Sequence, residues 1–476
     1  MLFRNLAMKK LSLLLLIVFL FSCSTSEKTK LDILIDHANV VDVKTGQLMP
    51  DQQIGIRNDT IIFVREAGNN SDYTAAKTID ATGKFVIPGL WDMHVHFRGG
   101  EELIEENKNL LPLFIANGVT GVREAGGDMT AEVFKWRNEI KSGTLTGPVI
   151  FTSGPKLDGP RATWAGSIPV TTKEGVIQAV DSLENMGVDF IKIYDSTISK
   201  EAYIWIIEEA KRRGITTSGH MPFTVMLEDA VNAGLGSVEH LYYILKGAST
   251  QEKEITQDVI DGKAGFWGSM DKLIATYDET QANTVFEMLK THNTYVVPTK
   301  HIGNTLSYLD RDNHEDDEYL NYVGDGIIKT YQGRIRSAMR ANEKAIAERH
   351  ELNSTFEKLI PKMQAAGVSL LAGSDSGASN SYVYQGLSLH QELAALVAAG
   401  LTPAEALRTA TINGAKFLKV ENFYGSVEVG KSSDLLILNA NPLEDITNTQ
   451  AINTLVLGTR DFSEQDLKGM LEQLRK

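Results

Sequence analysis

The sequence predicts an α/β fold: an eight-stranded (β/α)8, TIM-like barrel carrying a small β-sandwich built from both chain ends. Three observations carry this. Between residues 88 and 419, apolar runs alternate with amphipathic segments of helical length, the pattern of parallel βα units. Residues 31–87 and 420–460 both break into short β runs punctuated by Gly, Asn and Asp, which reads as one small composite domain. Finally, several of the barrel runs end in His, Lys or Asp, at the strand ends where such barrels keep their chemistry.

The chain opens with residues 1–22, a leader with Arg4, Lys9 and Lys10 ahead of an apolar run too short to span a bilayer comfortably. Cys23 follows directly and is the only cysteine, so an exported chain can form no internal disulfide with it. The ending Leu20-Phe21-Ser22-Cys23 resembles a bacterial lipoprotein signal, with Phe21 bulkier than the usual residue there. It implies an exported protein held at the cell envelope through lipid on Cys23; a plain secreted protein or an uncleaved anchor is the alternative. Residues 23–30 are polar and read as a tether. Net charge is −14, and loss of the three leader bases would make it −17. Such a surface repels phosphate backbones, so nucleic acid is set aside as a partner.

Eight barrel strands are expected at residues 90–96, 119–124, 149–154, 188–195, 215–220, 236–241, 295–300 and 368–375, with helices such as 173–186 and 200–213 between them. Two more helices follow, the second opening with Thr402, Pro403 and Glu405 in a capping-box pattern. Stretches 247–277 and 309–357 exceed what a βα connection needs and read as a lid or helical insertion beside the site.

His94 and His96 stand at the C-terminal end of the first strand. Alternate side chains share a face, so Asp92, His94 and His96 are expected to point the same way, and both imidazoles can turn onto one metal ion. Ten histidines in 476 residues give about 0.2 His-x-His pairs by chance, so the pair needs the company it finds downstream. Lys192 shares a strand face with Phe190 and Tyr194, which aims an ammonium into the barrel. Desolvation lowers its pKa, and a neutral amine can add carbon dioxide to become a carbamate; pairing with a nearby carboxylate is the equal alternative. His220, His240 and Asp375 each close an apolar run; taken singly, the two histidines fit ordinary hydrogen-bonding roles, and Asp375 a turn or cap. Arg161, Tyr242, Tyr243 and His301 follow strands at the same end and are candidate substrate contacts. His37 reads as a surface residue, and no role is assigned to His292, His314, His350 or His390.

Together GLWDMHVH, Lys192, His220, His240, Asp375 and the closing LTPAEALRTATINGAKFL and GSVEVGKSSDLLILNANPLEDI resemble the amidohydrolase superfamily, its binuclear members with a carbamylated lysine, and most closely the imidazolonepropionase-like and Xaa-Pro dipeptidase (prolidase) branch. The resemblance implies that His94, His96 and Asp375 hold one zinc, that His220 and His240 hold a second, and that Lys192 as carbamate bridges them. It implies a hydroxide held between two divalent metals, with Asp375 as the proton carrier, attacking a carbon–nitrogen bond of a small substrate. All six positions are intact. The expected substrate is a dipeptide-sized amide with a free carboxylate. A lactone, phosphotriester or cyclic amide on the same site, and a non-catalytic binding lipoprotein, are the competing readings. Membrane contact is expected only through the N-terminal lipid, and a homo-oligomer is left open.

Overall fold

The structure, a computed structural model, describes residues 28–68 and 72–476; the leader and Cys23 lie outside the described residues. Among the described residues no helix is long and apolar enough to cross a membrane.

Both chain ends meet in one sheet. Phe85–Pro88 lies between Thr29–Asp42, which it pairs in parallel, and Leu435–Leu438, which it pairs antiparallel. Gln47–Arg57 and Thr60–Glu66 extend the sheet on one side, Ile452–Leu457 and Arg460–Ser463 on the other, and Tyr73–Asp80 pairs with Thr29–Asp42 off this path. Ile33, Ile35, Val40, Ile54, Ile56, Leu435 and Ile437 bury one of its faces as a separate apolar cluster. Burial at alternate positions is what a strand with one covered face requires.

The barrel strands form two parallel sheets rather than one closed ladder. Leu90–Val95, Val119–Glu124 and Val149–Thr152 make the first. Ile191–Ile193, Thr217–Gly219, Ser237–Glu239 and Tyr295–Val297, with the short pairs Leu157–Asp158 and Ile168–Pro169 at one edge, make the second. Residues 368–375, expected as a full eighth strand, make only an isolated parallel bridge from Leu370 to Val296, with a second from the adjoining Ser376 to Val95. The ring is nevertheless completed by backbone hydrogen bonds. Asp375 N donates to His94 O (2.7 Å), His96 N to Ser376 O (2.9 Å), and Asp189 N to Thr152 O (2.9 Å). Gly373 permits the close approach, since a Cβ there would sit 2.6 Å from that of His94.

Most barrel strands are shorter than the sequence suggests. His240, Thr299 and Asp375 all adopt positive φ (67°, 47° and 59°), so the chain leaves the extended conformation where it reaches the site. Lys300, expected as a strand end, instead opens the helix Lys300–Ser307. The helices seat on the ring as their spacing demands: Lys173–Met186 buries Val176, Ala179, Val180 and Leu183. Its start is capped by Thr172, whose hydroxyl accepts from Gly175 N (3.0 Å). The box at Thr402 and Glu405 forms, with Pro403 in the first turn of Pro403–Thr409.

The two long insertions fold as helices over the strand ends. Glu252–Ile260 and Met270–Ala275 come from the first. Asp325–Met339 and Glu343–Ala366 come from the second, which runs nine residues beyond the expected limit at 357.

Candidate metal centre and substrate cleft

Four histidines and one aspartate converge at the strand ends. His94 Nε2 lies 3.2 Å from His96 Nε2, and His220 Nε2 lies 3.1 Å from His240 Nε2. Asp375 stands between the pairs, its Oδ1 3.3 Å from His96 Nε2 and its Oδ2 4.0 Å from His240 Nε2. Ligand atoms of His94, His240 and Asp375 fall within 4.8 Å of one another, a group that can hold a metal ion.

The outer nitrogens are tied down, which leaves each Nε2 facing inward. His96 Nδ1 lies 2.8 Å from Gly126 O, His240 Nδ1 2.7 Å from Thr299 Oγ1, and His220 Nδ1 3.1 Å from Asp195 Oδ1. His94 Nδ1 lies 2.6 Å from Glu239 Oε2. Burial pushes the pKa of His94, His96 and His240 down, keeping them neutral donors. Burial would raise Asp375, but the imidazoles around it, His94 foremost, hold it well below the usual carboxylate range. Neutral imidazoles around an ionised carboxylate are the donor chemistry of a divalent metal.

Lys192 is 1% exposed, and its Nζ has no hydrogen-bond partner. Burial, opposed by Glu239, pushes its pKa down to about 8. An orphaned, weakly basic amine beside a cation site fits a lysine that becomes an anion when the metal is present.

Asp92 does not join the imidazoles. Its oxygens accept from Ser374 N (2.9 Å), Ser374 Oγ (2.5 Å) and His94 N (3.2 Å), so it pins residues 368–376 to the first strand. Burial lifts its pKa to about 7.

Glu239 also belongs to the site, at a position the sequence does not mark. It is fully buried and accepts from both Ser218 Oγ (2.6 Å) and Ser237 Oγ (2.7 Å). Arg123 Nη2 donates to both Oε1 (2.9 Å) and Oε2 (2.8 Å), so a single guanidinium nitrogen holds the two carboxylate oxygens. Burial would raise Glu239, but Arg123, Lys192 and His94 outweigh it and hold the carboxyl well below its usual range. An ionised Glu239 fixes a proton on His94 Nδ1 and so frees Nε2 for a metal. Glu239→Gln is therefore expected to weaken metal affinity by about 10–100-fold, as read by chelator competition. An unchanged affinity would remove Glu239 from this role.

A cleft of about 890 Å³ opens above the centre, lined by His96, His220, His240 and Asp375 at its floor. Arg161 and Tyr242 also line it. Tyr243 reaches it too, but its hydroxyl donates to Asp195 Oδ2 (2.8 Å) and is spent there. His301 is not among the lining residues: it lies in the first turn of Lys300–Ser307, its backbone N donating to Glu392 Oε2 (2.6 Å).

Two further cleft residues went unassigned. Arg98, only 5% exposed, donates from Nε to Ala378 O (2.8 Å) and lies with Cζ 3.9 Å from the centre of the Trp164 ring. No partner holds its Nη groups among the described residues, and it lines the cleft. Asn380 donates from Nδ2 to Asp375 Oδ1 (2.8 Å) and accepts from Arg334 Nη2 (2.8 Å). Their faint signal is position: Arg98 sits two residues past His96 and Asn380 five past Asp375.

The model of the amidohydrolase family matches residues 85–462. Ochratoxinase of Aspergillus niger is 23% identical over 474 residues, covering 86% of this chain and 83% of its own. Among solved structures, a bottromycin amidohydrolase superposes with a TM-score of 0.74 at 19% identity, covering 93% of this chain and 90% of that one. A Xaa-Pro dipeptidase with bound methionine gives 0.67 at 21% identity, covering 90% and 99%.

Proposed function

Since the chain belongs to the amidohydrolase family and is a hydrolase of carbon–nitrogen bonds, we propose that it cleaves the amide of a small substrate whose leaving amine carries a free carboxylate. A Xaa-Pro dipeptide is the model case, as in the similar Xaa-Pro dipeptidase. The observation that carries this reading is Arg98, a buried guanidinium with free Nη groups in the same cleft as the imidazole cluster.

His94, His96 and Asp375 would hold one zinc ion, and His220 with His240 a second, and Lys192 as a carbamate would supply a further anionic ligand. Zinc supplies Lewis acidity there, polarising an amide carbonyl and acidifying water. Asp375 moves the proton. Asn380 occupies Oδ1, which leaves Oδ2 to accept from the attacking water and to return the proton to the departing nitrogen. Arg98 orients the substrate, because its stacking on Trp164 and its bond to Ala378 fix the plane in which it offers two parallel donors. Helical insertions narrow the approach, so small amides enter and long peptides do not.

Amidating the C-terminus of a Xaa-Pro dipeptide is expected to lower kcat/KM by about tenfold or more, and Arg98→Met to erase most of that difference. Steady-state kinetics on the four combinations checks this. Equal turnover of amidated dipeptides or of simple lactones would replace the reading with a lactonase.

The enzyme is further proposed to be exported and anchored through lipid on Cys23, a reading supported by the basic and apolar leader before the sole cysteine. Mass spectrometry of the purified protein is expected to find an acylated N-terminal Cys23. An unmodified thiol there would end this part of the proposal.

A further inference from the structure

The insertion helix Asp325–Met339 reaches the metal centre through two hydrogen bonds in series. Arg334 on that helix donates from Nη2 to Asn380 Oδ1 (2.8 Å). Asn380 then donates from Nδ2 to Asp375 Oδ1 (2.8 Å) and to Asp375 O. Asn380 is only 1% exposed, so these partners stand where water would otherwise be. A guanidinium has donors and no acceptor. Arg334 therefore requires the amide oxygen on its own side, which turns the Nδ2 hydrogens towards the aspartate. The cation also polarises the amide and strengthens the bond it makes onward to the carboxylate.

The helix is seated for this contact. Ser379 N donates to Thr330 Oγ1 (2.7 Å) and Ser381 Oγ to Tyr331 O (2.9 Å), so residues 379, 380 and 381 each bond to it. Its first turn is tied to the barrel as well, Gly326 N and Ile327 N donating to Glu106 (3.1 and 2.8 Å). Ser379 and Tyr382 hold positive φ (73° and 62°), a conformation that residues other than glycine keep only where their surroundings impose it. Arg334 makes no ion pair among the described residues, and its hydrogen bond goes to a neutral amide at the cleft.

We propose that Arg334 is a positioning residue for hydrolysis: acting through Asn380, it locks Asp375 Oδ1 in a fixed bond and so leaves Oδ2 as the oxygen that handles the proton. The inference rests on Asp375 as the proton carrier and adds which residue sets its orientation. It makes the insertion part of the catalytic apparatus, because the group that orients the carboxylate is carried there. Grip on a substrate carboxylate is the contrary assignment. The two differ in what they move, since a lost positioning residue slows the chemical step and a lost substrate contact weakens binding.

Full-length, zinc-reconstituted Arg334→Met, Asn380→Ala and the double variant are assayed on a Xaa-Pro dipeptide with a free and an amidated C-terminus. Arg334→Met is expected to lower kcat by about tenfold with KM within about twofold, alike on both substrates, and Arg334→Lys or added guanidinium to recover part of the loss. In the Asn380→Ala background the same substitution is expected to cost less than about twofold, because the path to Asp375 is already cut. The visible spectrum of the cobalt(II)-loaded proteins is expected to shift alike in Arg334→Met, Asn380→Ala and the double variant, with zinc content unchanged. Additive losses, or a raised KM together with lost discrimination against the amidated substrate, would overturn the positioning role. An unshifted cobalt spectrum in Arg334→Met would overturn it too, whatever the substrate, whereas full kcat in Asp375→Asn would strike the proton-carrier reading by itself.

Discussion

Lys192→Ala is expected to lose most of its bound metal and, with it, the hydrolytic activity. The wild-type amine is buried without a hydrogen-bond partner, and burial brings its pKa down to about 8, so a neutral fraction is available near neutral pH. Its nitrogen can add to carbon dioxide and shed a proton, turning a buried cation into an anion. That anion would stand beside four imidazoles and one carboxylate, where two divalent ions would need a further negative ligand. Glu239 cannot supply it, being held by Arg123 on both oxygens. Elemental analysis of the purified proteins is expected to give two zinc ions per wild-type chain and far less in the variant, with partial recovery in short carboxylic acids. Full metal and activity in Lys192→Ala would dismiss the carbamate.

Asp375→Asn is expected to keep at least one metal and to lose kcat by about 10²-fold or more, the scale of a removed general base. The carboxylate is ionised and placed among the imidazoles, with Asn380 already on Oδ1. An amide in that position still offers an oxygen to a cation but cannot take up a proton at neutral pH. Asn380→Ala serves as a companion, since it frees Oδ1 without changing the charge. A kcat within about twofold of wild type in Asp375→Asn would send the proton elsewhere.

The site residues most legible in the sequence are those whose chemistry conflicts with their surroundings. Lys192 stands out because isoleucines flank it, and His94 and His96 because strand alternation alone puts them on one face. His220, His240 and Asp375 are marked by the apolar runs they close. Other residues act only through space and carry no such mark. Glu239 precedes His240 directly, yet its contact is with His94, brought to it by the closure of the ring. The tyrosines at 242 and 243 are equivalent in sequence, and only the fold decides which one donates to Asp195. A strand over residues 295–300 would bring His301 to the site; a left-handed Thr299 ends that strand early and starts a helix. Backbone turns of this kind are set by the tertiary contacts around them, and so fall outside what periodicity can report.

The way both chain ends share one sheet has a consequence for biogenesis. Phe85–Pro88 is flanked by a strand that precedes it and by Leu435–Leu438, which emerges from the ribosome roughly 350 residues later. Closing that loop costs on the order of 5 kcal/mol of chain entropy, so the seam has to form late, on a barrel that already holds the two segments near each other. Until then one edge of Phe85–Pro88 is open, and an open apolar strand edge invites pairing with other chains. Were the chain exported as proposed, this delay would keep the amino-terminal strands from completing their sheet before the last segment had passed. A chain cut short before Leu435 would lose that seam permanently and is directed towards aggregation rather than towards a smaller working enzyme.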